Sequence, residues 1–438
     1  MPPPNNKRSY YLPRTFFIDF RWGVLNSDGL PCPSEAPIFM HEYAHLIQDQ
    51  STIYGAISFL NLLDRLQDLR RILLATLQPM VLPIRNHPRA VGTWSAFLDE
   101  VEPLARASAP WPKDGTWAFQ DREVVAKTCQ CDLASAVRNY PVVLARFVDH
   151  ATFREHVHSF GVRELVEGYA VAVEHLHGGQ LPTLLESPDF AYLALERVVS
   201  ALGRYAPEHV VAFAHWALQD PFPGVRLFEL LDHVRHTFGG SLPPAHELFG
   251  FLRDEAIRSG LAEKIVQVNA AISRFVAHYL PSGERDPLVR TLRWYQGVVS
   301  ANLARLLDPQ TQFPLGSFLC RAHQSWASED WAALAAFCRQ HPLPQIEDGA
   351  GSVFTFGASD HAAEGVFVLR GLVDVYERLW SGADTEWACP FHSTCPSEKV
   401  PQKDSSCLAT PWRKGVIQPY CPYGAASFYL DAFRVDLQ

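Results

Sequence analysis

The segment Ser34-Glu35-Ala36-Pro37-Ile38-Phe39-Met40-His41-Glu42-Tyr43-Ala44-His45-Leu46-Ile47-Gln48 decides how the rest of the chain is read. Asn26 to Pro33 (NSDGLPCP) forms a turn cluster before it, and Ser34 has the side chain of a helix N-cap. Pro37 falls in the first helical turn, where its missing N–H costs nothing. The pattern continues as helix to about Leu77, with a break expected near Gly55, and Leu60, Leu63, Leu66, Leu69 and Leu73 keep a helical period. On a helix, residues four apart share a face. His41 and His45 can therefore hold one ion through their imidazoles. Glu42 projects beside that face, close enough to take a proton from a water without ligating the metal. Gln48 lies on the same face, either as a satisfied polar core residue or as a hydrogen-bond partner of a ligand. The bland reading of the same motif is a buried helix with two hydrogen-bonded histidines and a surface glutamate.

Working outward, the chain has 438 residues, 47% apolar and 19% charged, with a net charge of −9. That composition builds a core, and the negative balance argues against a nucleic-acid partner. No apolar window is long enough for a membrane span, and the start of the chain lacks the pattern of a secretory signal. Nine cysteines, an odd and scattered set, point to a reducing compartment, with the cytoplasm as the expected location. No phosphate-binding glycine loop and no GxSxG elbow is present.

The expected fold class is mainly α, a helical zincin-like metallohydrolase core with a small N-terminal sheet and a Cys-rich C-terminal segment. Arg14 to Leu25 (RTFFIDFRWGVL) reads as a strand. Residues 87–120 read as a long surface connection. Glu123 to His177 reads as two helices split near Ser159-Phe160-Gly161. Residues 190–280 and 285–345 read as further helices, Val353 to Phe356 as a short strand, and Ala362 to Trp380 as a helix. The expected division is a helical HExxH metal-binding domain over 1–345, and a C-terminal helix with a Cys-rich, possible metal-binding segment over 346–438.

A catalytic zinc takes a third protein ligand. Positions 48 and 51 are Gln and Ser, so the HExxHxxGxxH pattern is absent. Candidates elsewhere are Glu167 and, as the alternative, Glu164, both in Val162-Arg163-Glu164-Leu165-Val166-Glu167-Gly168-Tyr169-Ala170-Val171-Ala172; Glu364, before Gly365, is a further one. Gly168 and Ala170 are small enough to let two ligand helices approach. His156 and His158 lie two apart, on different faces of a helix, and read as core or surface residues. His175 and His177 end a helix, where they favour its negative pole.

The HExxH helix together with the downstream EGxA glutamate resembles the gluzincin class of zinc metallopeptidases, and the HEYxHxxQ helix is similar to that of bacterial HExxH proteins. The resemblance implies His41, His45 and Glu167 as zinc ligands and Glu42 as general base. In such enzymes a Tyr or His stabilises the oxyanion, and Tyr169 lies near in sequence.

The tail carries Cys389, Cys395, Cys407 and Cys421 at wide spacing, three of them before Pro. Four thiolates there could hold a second, structural Zn²⁺ or an iron–sulfur cluster, with His392 able to replace one; reduced cysteines in an aromatic core is the other reading. Cys129 and Cys131 in a helix, and Cys32, Cys320 and Cys338, read as core residues.

The function expected from these residues is a zinc-dependent metallohydrolase acting as a peptidase, with a peptide or protein substrate, no nucleic acid and no membrane. Two alternatives stay open: an Fe(II)/2-oxoglutarate oxygenase that modifies a peptide, and a non-catalytic, metal-stabilised binding scaffold.

Overall fold

The apolar face of the HExxH segment sets the first packing decision. Phe39, Met40, Tyr43, Ala44, Leu46 and Ile47 are all buried in helix α1 (Ala36–Ser51). Glu35, one residue after the expected Ser34, occupies the N-cap, and its side chain makes no cap hydrogen bond. The chain turns out of α1 at Thr52, whose backbone is extended, and re-enters helix as α2 (Ile53–Ala75). The Thr52 hydroxyl stitches this junction: it donates to the Gln48 carbonyl at 2.7 Å and accepts from the Gly55 N–H at 2.9 Å. Only glycine fits at 55, because a Cβ there would lie 2.5 Å from the Gln48 carbonyl oxygen.

The computed structural model describes residues 9–20, 23–75, 82–90, 93–99, 117–131, 136–179, 191–279, 286–323, 326–341, 345–355, 360–382, 388–391, 406–411 and 421–432. Within them the protein is mainly helical. Strands β1 (Tyr10–Leu12) and β2 (Phe17–Phe20) form an antiparallel hairpin. Its turn holds Arg14 at φ +69° and Phe16 at φ +54°, a region non-glycine residues rarely adopt. A short helix, α3, covers 94–99 of the stretch expected to be a surface connection.

The expectation of two helices over Glu123 to His177 is corrected. Strands β3 (Trp117–Cys131), β4 (Ala136–Asp149) and β5 (Glu155–Phe160) form an antiparallel sheet, and α4 (Val162–Leu176) follows. The reason is a period of two: Val143, Ala145, Phe147 and Asp149 are buried, while Arg146 between them is exposed. Cys129 and Cys131 therefore lie in a strand.

Helices α5 (Ala191–Ser200), α6 (Pro207–Ala217), α7 (Pro223–Phe238), α8 (Ala245–Arg258), α9 (Leu261–Tyr279), α10 (Pro287–Arg305) and α11 (Ser328–Gln340) surround α1 and α4. Strand β6 (Gln345–Asp348) then pairs parallel to β2, and β7 (Val353–Phe354) pairs with β6, giving the order β1-β2-β6-β7. Helix α12 (Asp360–Ser381) packs on α10, a single turn α13 (Ser406–Ala409) follows, and α14 (Pro422–Tyr429) packs on α12. The boundary drawn at residue 345 thus runs through one sheet and one contiguous apolar core that reaches from Tyr11 to Ala432. No helix among the described residues is long and apolar enough to cross a membrane.

The α1–α2 junction yields a prediction. Gly55→Ala forces a Cβ against α1 backbone that has no slack, so it should destabilise the protein by about 1–3 kcal/mol, the usual cost of overpacking. Thermal denaturation should show a lower Tm than the parent, and an unchanged Tm would mean the junction yields freely.

Candidate metal centre

Helix α1 presents His41 and His45 one turn apart toward α4, and α4 returns Glu167. Among the described residues, these three side chains form a group whose donor atoms all lie within 4.8 Å of one another. Glu167 Oε2 is 3.6 Å from the Nε2 of His41 and 3.6 Å from the Nε2 of His45. Zinc bonds of about 2.0–2.1 Å in a tetrahedron put ligand atoms about 3.4 Å apart. The observed edges therefore leave room for one ion at ordinary bond lengths.

The imidazoles are fixed from behind. His41 Nδ1 lies 3.0 Å from Glu174 Oε2, seven residues after Glu167 on the same face of α4. His45 Nδ1 lies 3.1 Å from Gln48 Oε1, and the Gln48 amide nitrogen donates to the Val166 carbonyl at 3.0 Å. Because that nitrogen must donate to Val166, Gln48 offers its oxygen to His45. With both Nδ1 positions donating, each Nε2 is the nitrogen turned to Glu167, where it can take a proton or an ion. Gln48 is thus a hydrogen-bond partner of a candidate ligand, and it also ties α1 to α4 next to Glu167.

The electrostatics follow from closeness and burial. His41, Glu42 and His45 are each at most 9% exposed. Burial alone would lower the His41 pKa, but Glu167 and Glu174 outweigh it and raise it well above 6.5. For His45, too, burial is outweighed, chiefly by Glu167, and its pKa is raised. Burial pushes the Glu167 carboxyl up, yet His45 and His41 hold it well below the usual carboxylate range. Glu42 is raised by burial against the pull of the two imidazoles. A metal-free centre is therefore an ion-paired cluster in which protons stand where an ion would.

A cleft of about 150 Å³ opens over these groups. Its walls include Tyr10 and Tyr11 from β1, Glu42 and Asp49 from α1, and Tyr192 from α5, whose ring centroid is 6.1 Å from that of His41.

Other residues singled out in the sequence fall elsewhere. Glu164 caps α4, accepting from the Gly161 N–H at 2.8 Å and pairing with fully buried His158 at 2.9 Å. Gly168 serves a different contact from the one expected: its missing Cβ admits Leu195 of α5, not α1. Tyr169 is fully buried in the core and does not line the cleft. His177 is pushed down to about 4 by burial and hydrogen-bonds the Leu319 carbonyl, so it is neutral and does not act as a cation at the helix end. Residue 364 lies in α12, with its side chain outside the described set.

In the tail, the Cys389 N–H donates to the Cys407 carbonyl at 2.7 Å, and Cys421 caps α14. Cys395 and His392 lie outside the described residues. Cys389, Cys407 and Cys421 do not by themselves bring three sulfurs to ligand-sharing distance. Cys320 and Cys338 are buried, whereas Cys32 is exposed, 3.1 Å from the Ser34 hydroxyl.

Sequence reading missed Glu174, Tyr11 and Asp49. Two carried a signal: Asp49 is four residues after His45, and Glu174 is seven after Glu167, so each repeats the face of a ligand. No protein-family profile, no curated protein and no solved structure matches this chain.

Two predictions follow from this geometry. His41→Ala or His45→Ala should abolish metal binding, and Glu174→Gln should lower affinity by roughly 10–100-fold while leaving the donor set intact. Metal analysis after dialysis against a weak chelator reads both. Protons and metal compete for the same Nε2 atoms. Because the imidazole pKa values are raised, metal loss on acidification should begin at a higher pH than an ordinary imidazole, near 6.5, would give. Metal content measured across a pH series tests the sign.

Proposed function

We propose that the protein is a zinc-dependent metallohydrolase of the peptidase type. The observation that carries this reading is the placement of Glu42. It lies beside a two-histidine, one-carboxylate donor set, lines the same cleft, and is not itself one of the converging ligand atoms. A set of two imidazole nitrogens and one carboxylate oxygen, with space for a further ligand, suits a catalytic zinc. The residues that would hold it are His41, His45 and Glu167. Bound there, zinc supplies Lewis-acid polarisation of the scissile carbonyl and lowers the pKa of the attacking water.

The chain's own residues supply the rest. Glu42 accepts the proton from the water as it attacks, and it delivers that proton to the leaving nitrogen. Its raised pKa suits both roles, since a base that must also act as an acid works best with a pKa near the working pH. His41 and His45 are kept in the metal-binding tautomer by Glu174 and Gln48. Tyr10, Tyr11 and Tyr192 shape an entrance in which an extended peptide can lie. This reading places a peptide or protein in the cleft, and the grouping of His41, His45 and Glu167 supports it.

The test uses Glu42→Gln, which keeps size and hydrogen-bonding reach but cannot take a proton. Bound zinc should stay at the parent level while turnover falls by roughly 10²–10⁴-fold. New protein N-termini compared between cells expressing the parent and the variant provide the assay. Termini present only with the parent support the peptidase. Identical termini, with a mass gain of one oxygen on a peptide in the parent sample and iron in the purified protein, would replace it with the oxygenase reading.

A further inference from the structure

Tyr11 lies lengthwise along the HExxH helix and touches it at three successive levels. Its backbone N–H donates to Glu42 Oε2 at 2.6 Å. Its ring stacks on His45, with centroids 6.2 Å apart and planes 18° from parallel. Its hydroxyl donates to Asp49 Oδ2 at 2.8 Å. Glu42, His45 and Asp49 thus sit under one residue that belongs to a different element, strand β1.

The anchor at the far end is Asp49. The same Oδ2 also accepts the N–H of Arg14 at 2.8 Å, and the Arg14 side chain reaches Ser58 of α2 at 2.7 Å. Arg14 is one of the two left-handed residues of the hairpin turn. Asp49 Oδ2 therefore holds the hairpin at two points, the Tyr11 hydroxyl in β1 and the Arg14 N–H in the turn. Asp49 itself is held by its helix, and its carbonyl accepts from the Tyr295 hydroxyl of α10 at 3.1 Å.

From these contacts we infer that Asp49 and Tyr11 are positioning residues for Glu42. The inference rests on the peptidase reading of the site, because it assigns them a part in aiming the general base. The chain of contact runs from Asp49 to the Tyr11 hydroxyl, through the Tyr11 backbone, to Glu42 Oε2. With Oε2 engaged by an N–H, the carboxylate cannot swing freely, which leaves Oε1 as the oxygen to take a proton from an attacking water. A carboxylate next to a two-histidine site has a second option, which is to rotate toward the metal and ligate it. The Tyr11 N–H is the contact that opposes this. Aiming matters because a displacement of about 1 Å in a reacting group can cost roughly 10²-fold in rate.

The experiment uses the full-length, zinc-loaded protein and the variants Tyr11→Phe, Asp49→Asn and Asp49→Ala. Tyr11→Phe removes only the hydroxyl, leaves the ring on His45, and is the variant expected to fold without difficulty. Two readouts are needed. Amide hydrogen exchange of the Tyr10–Leu12 segment reports the Tyr11 N–H contact with no substrate present. Steady-state cleavage of an internally quenched peptide mixture that the parent cleaves reports catalysis. Tyr11→Phe and Asp49→Ala should raise exchange at Tyr11, retain zinc, and lower kcat by roughly 10–100-fold with KM little changed. Asp49→Asn keeps one acceptor oxygen and should recover most of the loss. Exchange at Tyr11 that is unaltered in Asp49→Ala would overturn the proposal, as would faster exchange with parental kcat. If the parent cleaves no peptide, the peptidase reading fails on its own, while the exchange data still decide whether Asp49 holds Tyr11 on Glu42.

Discussion

A single carboxylate oxygen placed between two imidazoles is the constraint on which the rest of the site depends. Glu167 Oε2 stands 3.6 Å from both His41 and His45, which requires α1 and α4 to pack at one register and no other. A slip of one residue along α4 would turn Glu167 by about 100° and remove it from the histidines. The register is set by contacts that do not touch the ligand atoms. Gln48 bonds the Val166 carbonyl, Glu174 bonds His41, and Leu195 fits into the space left by Gly168, about 100° around α4 from Glu167. Helix α4 is thus clamped on two faces, with Glu167 turned inward.

Much of this was legible in the sequence, and the reasons are local. HExxH spacing encodes a shared helix face, so His41, Glu42 and His45 could be read without any tertiary information. Glu167 needed a chemical argument, a carboxylate in a second helix. The EGxA resemblance already favours it over Glu164, and the structure supplies the physical reason: Glu164 caps its own helix and pairs with His158. The three-stranded sheet was misread as helices because Val, Leu, Ala and Arg in VVLARFVD suit either element by composition. Its alternation of buried and exposed side chains was the overlooked signal. The small residues after Glu167 were assigned to the wrong neighbour because sequence shows that two surfaces approach closely, never which two. Tyr11 was beyond sequence reasoning altogether: its relation to Glu42, His45 and Asp49 spans more than thirty residues and arises from a hairpin folding back over α1.

That hairpin is held in place by the far end of the chain. Strand β2 pairs with β6, so Phe17 to Phe20 lie against Gln345 to Asp348. The Asp348 carboxylate then gathers the N–H groups of Leu25, Ala350 and Ser352, which fixes the segment leading into α1 against the turn leading out of β6. Residues separated by more than three hundred positions thus determine where β1 sits over the HExxH helix. A group of three side chains from two helices that could hold a metal ion is in this sense supported by a sheet that contributes none of the three.

Charge supplies the last step. With both histidines neutral, as a metal ligand requires, three largely buried carboxylates, Glu42, Glu167 and Glu174, are grouped around the two imidazoles. Buried negative charge without compensation is costly, and the protein has two ways to offset it. Protons on the imidazoles make ion pairs with Glu167 and Glu174, which is the state the raised histidine pKa values describe. A divalent cation does the same with both histidines neutral, and it leaves Glu42 as the carboxylate that is neither a ligand nor paired with an imidazole at hydrogen-bond distance. In the first state the cluster is an internal salt bridge between two helices, with no use for a cleft above it. In the second, the remaining negative charge falls to Glu42, which lines the cleft together with Tyr10, Tyr11 and Tyr192. The same five side chains therefore fit either an interhelical ion-pair cluster or a metal-binding group, and occupancy of the triad decides between them.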